Sequence, residues 1–148
     1  MVLMSREQFP VFIEFYALWL QEARAEMVDE EPDGPEQQLV TSHHGRVDIR
    51  SAGHTHEAAF TVEVWDAPPE PDRTVVWEAV GEGELDSATG QLQIYSYGGP
   101  SKHEISLGMA GQRWRLRVHV VGQEAVAELA EEDAPEGVEC FLLQFWPV

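Results

Sequence analysis

Along Arg113-Trp-Arg-Leu-Arg-Val-His-Val120, charged and apolar residues alternate without a break. A strand sends successive side chains to opposite faces. The run therefore buries Trp114, Leu116 and Val118 on one side and leaves Arg113, Arg115, Arg117 and His119 on the other. A helix would spread the same residues around its circumference and bury neither set cleanly. Shorter runs repeat the pattern. Arg46–Arg50 sets Val47 and Ile49 between charged neighbours, Ala58–Trp65 aligns Phe60, Val62 and Val64, and Gln91–Tyr97 alternates again. Gln38–Ser42, Thr74–Ala79, Glu84–Asp86 and Val138–Trp146 add further strand-like stretches. Turn chemistry separates them: the proline-rich Asp66–Asp72, Ser87-Ala-Thr-Gly90, and Gly98-Gly-Pro100, which reads as a stop. The expectation is an all-β fold: a two-layer antiparallel β-sandwich of about eight strands with acidic loops, forming a single domain over residues 1–148.

Residues 9–20 fit two periods. Phe12, Phe15, Tyr16, Trp19 and Leu20 have helical spacing, and Ser5 with Gln8 resembles a capping box. Pro10 would sit inside such a helix without a needed N–H, and the aromatic and β-branched content favours a pleated surface. The segment is read as a strand. Gln123–Gly137 is acidic and alanine-rich, suiting a helical turn or a long loop.

Charge narrows the functional classes. Nine Lys plus Arg face 27 Asp plus Glu, a formal net charge of −18. Such a field repels nucleic acid and anionic lipid, which bind by exchanging counterions for Lys and Arg. It attracts basic proteins and speeds their encounter at low salt. A lone cysteine, Cys140, excludes an intrachain disulfide and fits a reducing compartment. The apolar run Val11–Leu20 is too short to span a bilayer and contains Glu14. The expected address is cytoplasmic.

Candidate chemistry is sparse. His43, His44, His54 and His56 are the residues a zinc or copper ion would use. If residues 46–50 and 57–64 pair as a hairpin, the two histidine pairs sit at opposite ends of it, and solvated loop histidines are the commoner outcome. His119 is read as a surface residue. Asp29, Glu30, Glu31 and Asp33 cluster beside a proline, and Glu131, Glu132 and Asp133 form a second acidic run. The first run does not follow a calcium-loop spacing, and both suit contact with a basic partner. Arg113, Arg115 and Arg117 suit cross-strand pairing with acids such as Glu63 or Glu139, or a small anion site. Cys140 lies in the last apolar strand, where a thiol is usually buried and inert. The chain has no nucleophile elbow, no phosphate loop and no cofactor motif. A non-enzyme is expected.

Val62-Glu-Val-Trp-Asp-Ala-Pro-Pro-Glu70, Gly111-Gln-Arg-Trp-Arg-Leu-Arg-Val118 and Glu139-Cys-Phe-Leu-Leu-Gln-Phe-Trp-Pro147 occur with the strand order between them. Together they resemble the competence protein J-like family, whose founding member inhibits a DNA-entry nuclease. The resemblance covers most of the chain and implies a β-sandwich and a protein-binding inhibitor. It carries over no site residue. The function expected is an acidic binding module, an inhibitor or immunity-type protein for a basic nuclease or toxin. The alternative is a small-molecule or carbohydrate binder using Tyr95, Tyr97 and Trp65.

Overall fold

The computed structural model describes residues 1–28, 38–129 and 134–148. Among the described residues, ten strands and one short helix follow in chain order: β1 (Leu3–Glu14), β2 (Ala17–Glu22), β3 (Val40–His43), β4 (Arg46–Arg50), β5 (Thr55–Trp65), β6 (Ala79–Ser87), β7 (Gln91–Ser96), β8 (Gly99–Ser106), β9 (Gln112–Val121), α1 (Gln123–Leu129) and β10 (Glu136–Pro147). All ten strands belong to one mixed sheet. One arm runs β1-β5-β10-β9-β6, and the other joins β3, β4, β2, β7 and β8. The arms meet at the β1–β2 hairpin, where Glu14 pairs with Ala17.

The sheet curls into a nearly closed barrel. At the seam, the Glu84 N–H donates to Ser42 Oγ at 3.0 Å, tying β6 to β3. Two glycines permit that approach. A Cβ on Gly83 would lie 2.9 Å from Val40 Cγ1, and one on Gly81 would lie 3.0 Å from Val40 Cγ2. The all-β expectation holds at this level. The antiparallel expectation needs correction, because β10 runs parallel to β5 (Phe141 opposite Phe60, Leu143 opposite Val62). The pairing also describes one curled sheet rather than two separate layers.

The period-two pattern places the core. Phe60, Val62, Trp114, Leu116, Phe141 and Phe145 from one arm share a buried cluster with Leu18, Leu20, Ile49, Leu92 and Ile94 from the other. Each such side chain contributes about 1.5–3 kcal/mol on leaving water.

Residues 9–20 are extended, as read, but they form two strands with a turn at Phe15-Tyr16. Pro10 sits in β1, which ladders fully with β5 and meets β2 only at the hairpin end. An edge position tolerates its missing N–H. Gly98-Gly-Pro100 does not stop the chain. Ser96 pairs with Gly99 across a turn at Tyr97-Gly98, and β8 follows.

Thr74–Ala79 is not a strand before Ala79. The carboxylate of Asp72 accepts from Thr74 N, Thr74 Oγ1 and Trp77 Nε1, so local side-chain bonds displace a ladder. Val76 is left 92% exposed. This loop crosses the outer face of β9 and β10. Its Pro69 carbonyl accepts from Arg117 Nη1 at 3.0 Å, and Trp77 lies against His119 with ring centroids 5.3 Å apart. His119 is therefore fully buried, contrary to the surface reading. Burial holds its imidazole below the ordinary histidine range, although its Nδ1 lies 3.3 Å from the Leu142 carbonyl. No helix among the described residues is long and apolar enough to cross a membrane.

Candidate functional site

The expected hairpin between residues 46–50 and 57–64 does not form. β4 pairs with β2 and β3, whereas β5 pairs with β1 and β10, so the connection Ser51–His54 crosses between arms. That crossover is held by a buried polar knot. Ser51 Oγ lies 2.5 Å from Glu139 Oε1 and 2.8 Å from His56 Nε2. The Ala52 N–H donates to Glu139 Oε2 at 2.9 Å, and the Gly53 N–H donates to Ser51 Oγ at 3.1 Å. Gly53 is required here, since a Cβ would meet His56 Cδ2 at 2.5 Å and Val126 of α1 at 2.9 Å.

Ser, His and Glu in contact invite comparison with a nucleophilic triad, and the geometry argues against one. The single Ser51 proton goes to Glu139, so Ser51 Oγ accepts from His56 Nε2 and activation runs the wrong way. His56 Nδ1, which a triad carboxylate would orient, has no partner. All three side chains are essentially without solvent contact, so no substrate reaches them. The knot is a structural tie between the crossover and β10.

The histidines do not come together. His43 binds Asp48 at 3.0 Å, His44 sits in the β3–β4 turn, His54 is half-buried with its Nδ1 2.8 Å from Thr55 Oγ1, and His56 is buried. Among the described residues, no group of three or more His, Cys, Asp or Glu is placed to hold a metal. Burial pushes the Cys140 thiol up, assisted by the Glu139 charge, which disfavours a thiolate nucleophile.

The arginine face pairs across strands, as expected, but with acids of β6. Arg113, Arg115 and Arg117 stand opposite Asp86, Glu84 and Glu82. Glu84 binds Arg113 at 2.6 Å and Arg115 at 2.8 Å, and Arg117 reaches Glu82 at 3.6 Å. The Arg113 and Arg115 hydrogen bonds hold the Glu84 carboxyl below the usual range. Glu63 instead binds Arg6 and Gln144, and Glu139 belongs to the knot. A groove of about 520 Å³ beside this ladder is lined by His43, His44, Glu82, Asp86 and Arg115. Its arginines are already neutralised, so an anion site is not favoured.

The β1–β2 hairpin tip went unread in the sequence. Phe15 and Tyr16 have φ of 55° and 63°. Two-residue hairpins of this type prefer Asn-Gly, because β-carbons resist left-handed backbone. Each side chain there costs about 1–2 kcal/mol. Nothing in the core demands them, since Phe15 is 58% exposed and Tyr16 46%. They join an aromatic cluster. Phe15 packs on His54 at 4.7 Å and on Tyr97 at 5.6 Å, Tyr16 packs on His54 at 5.2 Å, and Trp19 packs on Tyr97 at 5.6 Å. Behind it, the Arg46 guanidinium stacks on Trp19 at 4.2 Å. The knot supports the tip, because the Ser51 N–H donates to the Tyr16 carbonyl at 2.8 Å.

Trp65 is not part of this cluster; it lies opposite Leu3 and donates to Glu63. Phe15, Tyr16 and Tyr97 meet their neighbours edge to face, whereas Tyr95 stacks nearly parallel on Trp19 at 5.9 Å, so Tyr95, Tyr97 and Trp65 do not form one flat platform. The acidic candidates Asp29, Glu30, Glu31, Asp33, Glu131, Glu132 and Asp133 lie outside the described residues.

A curled, mixed ten-stranded sheet with a long parallel β5–β10 pair at its centre defines a ComJ-like all-β fold. The crystal structure of ComJ, inhibitor of the DNA degrading activity of NucA, from Bacillus subtilis, matches with a TM-score of 0.69 at 11% identity, over 100% of both chains. The protein of crocagin biosynthetic gene J matches with a TM-score of 0.62 at 13% identity, over 97% of this chain and 99% of that one. No family model matches the sequence, and no curated protein does.

Proposed function

We propose that this protein is a non-enzymatic binding module of inhibitor type, which occludes a basic protein such as a nuclease or toxin. Uncompensated charge carries the reading. Acidic residues outnumber basic ones 27 to nine. Six of the arginines (Arg6, Arg24, Arg46, Arg113, Arg115 and Arg117) are spent on ion pairs within the chain. The remaining carboxylates favour a partner rich in Lys and Arg, and such a field resembles the phosphates that a nucleic-acid-binding cleft accepts. The ComJ-like fold supports the inhibitor reading, since ComJ itself inhibits a DNA-degrading activity. The acidic segments Asp29, Glu30, Glu31, Asp33 and Glu131, Glu132, Asp133 supply long-range attraction for such a partner in the cytoplasm.

The test is capture of basic proteins on the immobilised chain at 50 and 500 mM salt, followed by nuclease assays on those recovered. Binding that falls at least tenfold with salt, and inhibition at equimolar protein, is the expected result. Neutralising both acidic segments to Asn and Gln slows association. Capture that is indifferent to salt, or no inhibition of any captured nuclease, refutes the reading.

A further inference from the structure

The hairpin tip places two bulky side chains on left-handed backbone in an exposed turn. Left-handed backbone at both Phe15 and Tyr16 is the requirement of a type I′ turn, which Asn-Gly meets without strain. Strain retained where no packing requires it marks sites kept for contact. A third exposed aromatic, Tyr97 (61% exposed), comes from a different hairpin, the β7–β8 turn, and closes on Phe15. His54 comes from the crossover and touches both Phe15 and Tyr16. Three separate connections thus converge on one aromatic surface.

We infer that Phe15, Tyr16, His54 and Tyr97 form the anchor by which the protein grips its partner, and that the partner contributes arginine side chains to it. This rests on the proposed function and assigns its short-range contacts. Two observations select arginine. The same aromatic run already holds a guanidinium, Arg46 over Trp19. Beside the tip, a cleft of about 370 Å³ is lined by Phe12, Glu14 and Glu57, with Lys102 as the opposing charge. Glu14 lies beneath the β7–β8 turn, where its Oε1 would be 2.6 Å from a Cβ on Gly98. Arg50, opposite Ala17 next to the hairpin base, is already engaged. An arginine stem laid on Phe15 or Tyr97 brings its guanidinium toward the Glu14 carboxylate, which a planar fork can bind at two points. Aromatic and arginine side chains dominate interface hot spots, and the rings here stand beside the Glu14 carboxylate.

The probe is an octapeptide of alternating arginine and glycine, with lysine and glutamate counterparts, titrated into the full chain and followed by NMR. Shifts concentrated at Phe15, Tyr16, His54 and Tyr97 are expected, with the arginine peptide bound roughly threefold tighter than the lysine peptide. The variant Phe15→Asn/Tyr16→Gly restores the unstrained turn. It should keep or raise the melting midpoint while losing the localised shifts, and Tyr97→Ser should weaken them with the hairpin intact. Shifts confined to the acidic surface elsewhere, or a double variant that binds as well as the native chain, overturn the inference and leave the charge-driven reading standing. A melting midpoint lowered by more than about 5 °C assigns the aromatics to folding and also overturns it. No shift anywhere at low salt removes both readings.

Discussion

Replacing Glu139 with alanine tests the knot that holds the crossover. Its buried carboxylate accepts the buried Ser51 hydroxyl at 2.5 Å and the half-buried Ala52 N–H at 2.9 Å. In Glu139→Ala both donors lose their acceptor, the Ser51 hydroxyl in the interior and the Ala52 N–H in a half-buried position. Each orphaned buried donor costs about 1–3 kcal/mol, and the vacated side-chain volume adds to that. The expected total is about 3–5 kcal/mol, a large share of the roughly 5–15 kcal/mol by which a domain is stable. For a chain of this length that lowers the melting midpoint by about 10 °C. Glu139→Gln keeps one acceptor oxygen but turns an amide donor toward Ser51 or Ala52, and should cost about 1–3 kcal/mol. Urea unfolding followed by tryptophan fluorescence measures both variants. A double-mutant cycle with Ser51→Ala isolates the pair and should give about 1 kcal/mol or more of coupling. Hydrogen exchange supplies a local readout, since the Ala52 amide should lose protection first. A loss below about 1 kcal/mol for the alanine variant, or a coupling of zero, refutes the idea that the knot holds the crossover.

His119 predicts a pH dependence. Burial under Trp77 and the Asp66–Glu78 loop depresses its pKa, so the unfolded chain binds its proton more readily than the folded one. Its neutral form then favours folding fully above the ordinary histidine value of about 6.5, and that contribution is lost as the pH falls from there toward the depressed folded value. His119→Gln should flatten this part of the stability curve in urea titrations from pH 7 to 5; a curve identical to the native one counts against the assignment. At the seam, Gly83→Ala pushes a methyl against Val40 and Ser42 and should cost about 1–3 kcal/mol by thermal unfolding. A neutral result there means β3 is free to move off β6.

Strand content was legible wherever one face is wet and the other dry. Arg113–Val120 and Arg46–Arg50 appear nearly as read, because alternation reports a local property, the direction of successive side chains. The ion-pair ladder was half legible: the arginines had to meet acids, but only pairing selects Glu82, Glu84 and Asp86 over Glu63 and Glu139. His119 carried the same alternating signal as the surface arginines. It is buried because a loop distant in sequence lies over that face, and no local pattern encodes such a cover.

The candidate site was the least legible part. Phe15-Tyr16 contains no glycine, asparagine or proline, so nothing in the chain announced a turn there, and the aromatic pair read as more strand. Its positive φ values follow from pairing Glu14 with Ala17, and its cluster needs residues from three connections. Composition and period settle how much chain is extended, which faces avoid water and what sign of partner the surface tolerates, because each depends on neighbours along the chain. Strand order, the parallel β5–β10 pair, the Ser51–His56–Glu139 knot and the aromatic tip depend on residues brought together over long separations. Closure energies among many competing pairings decide those, and a linear pattern does not carry them.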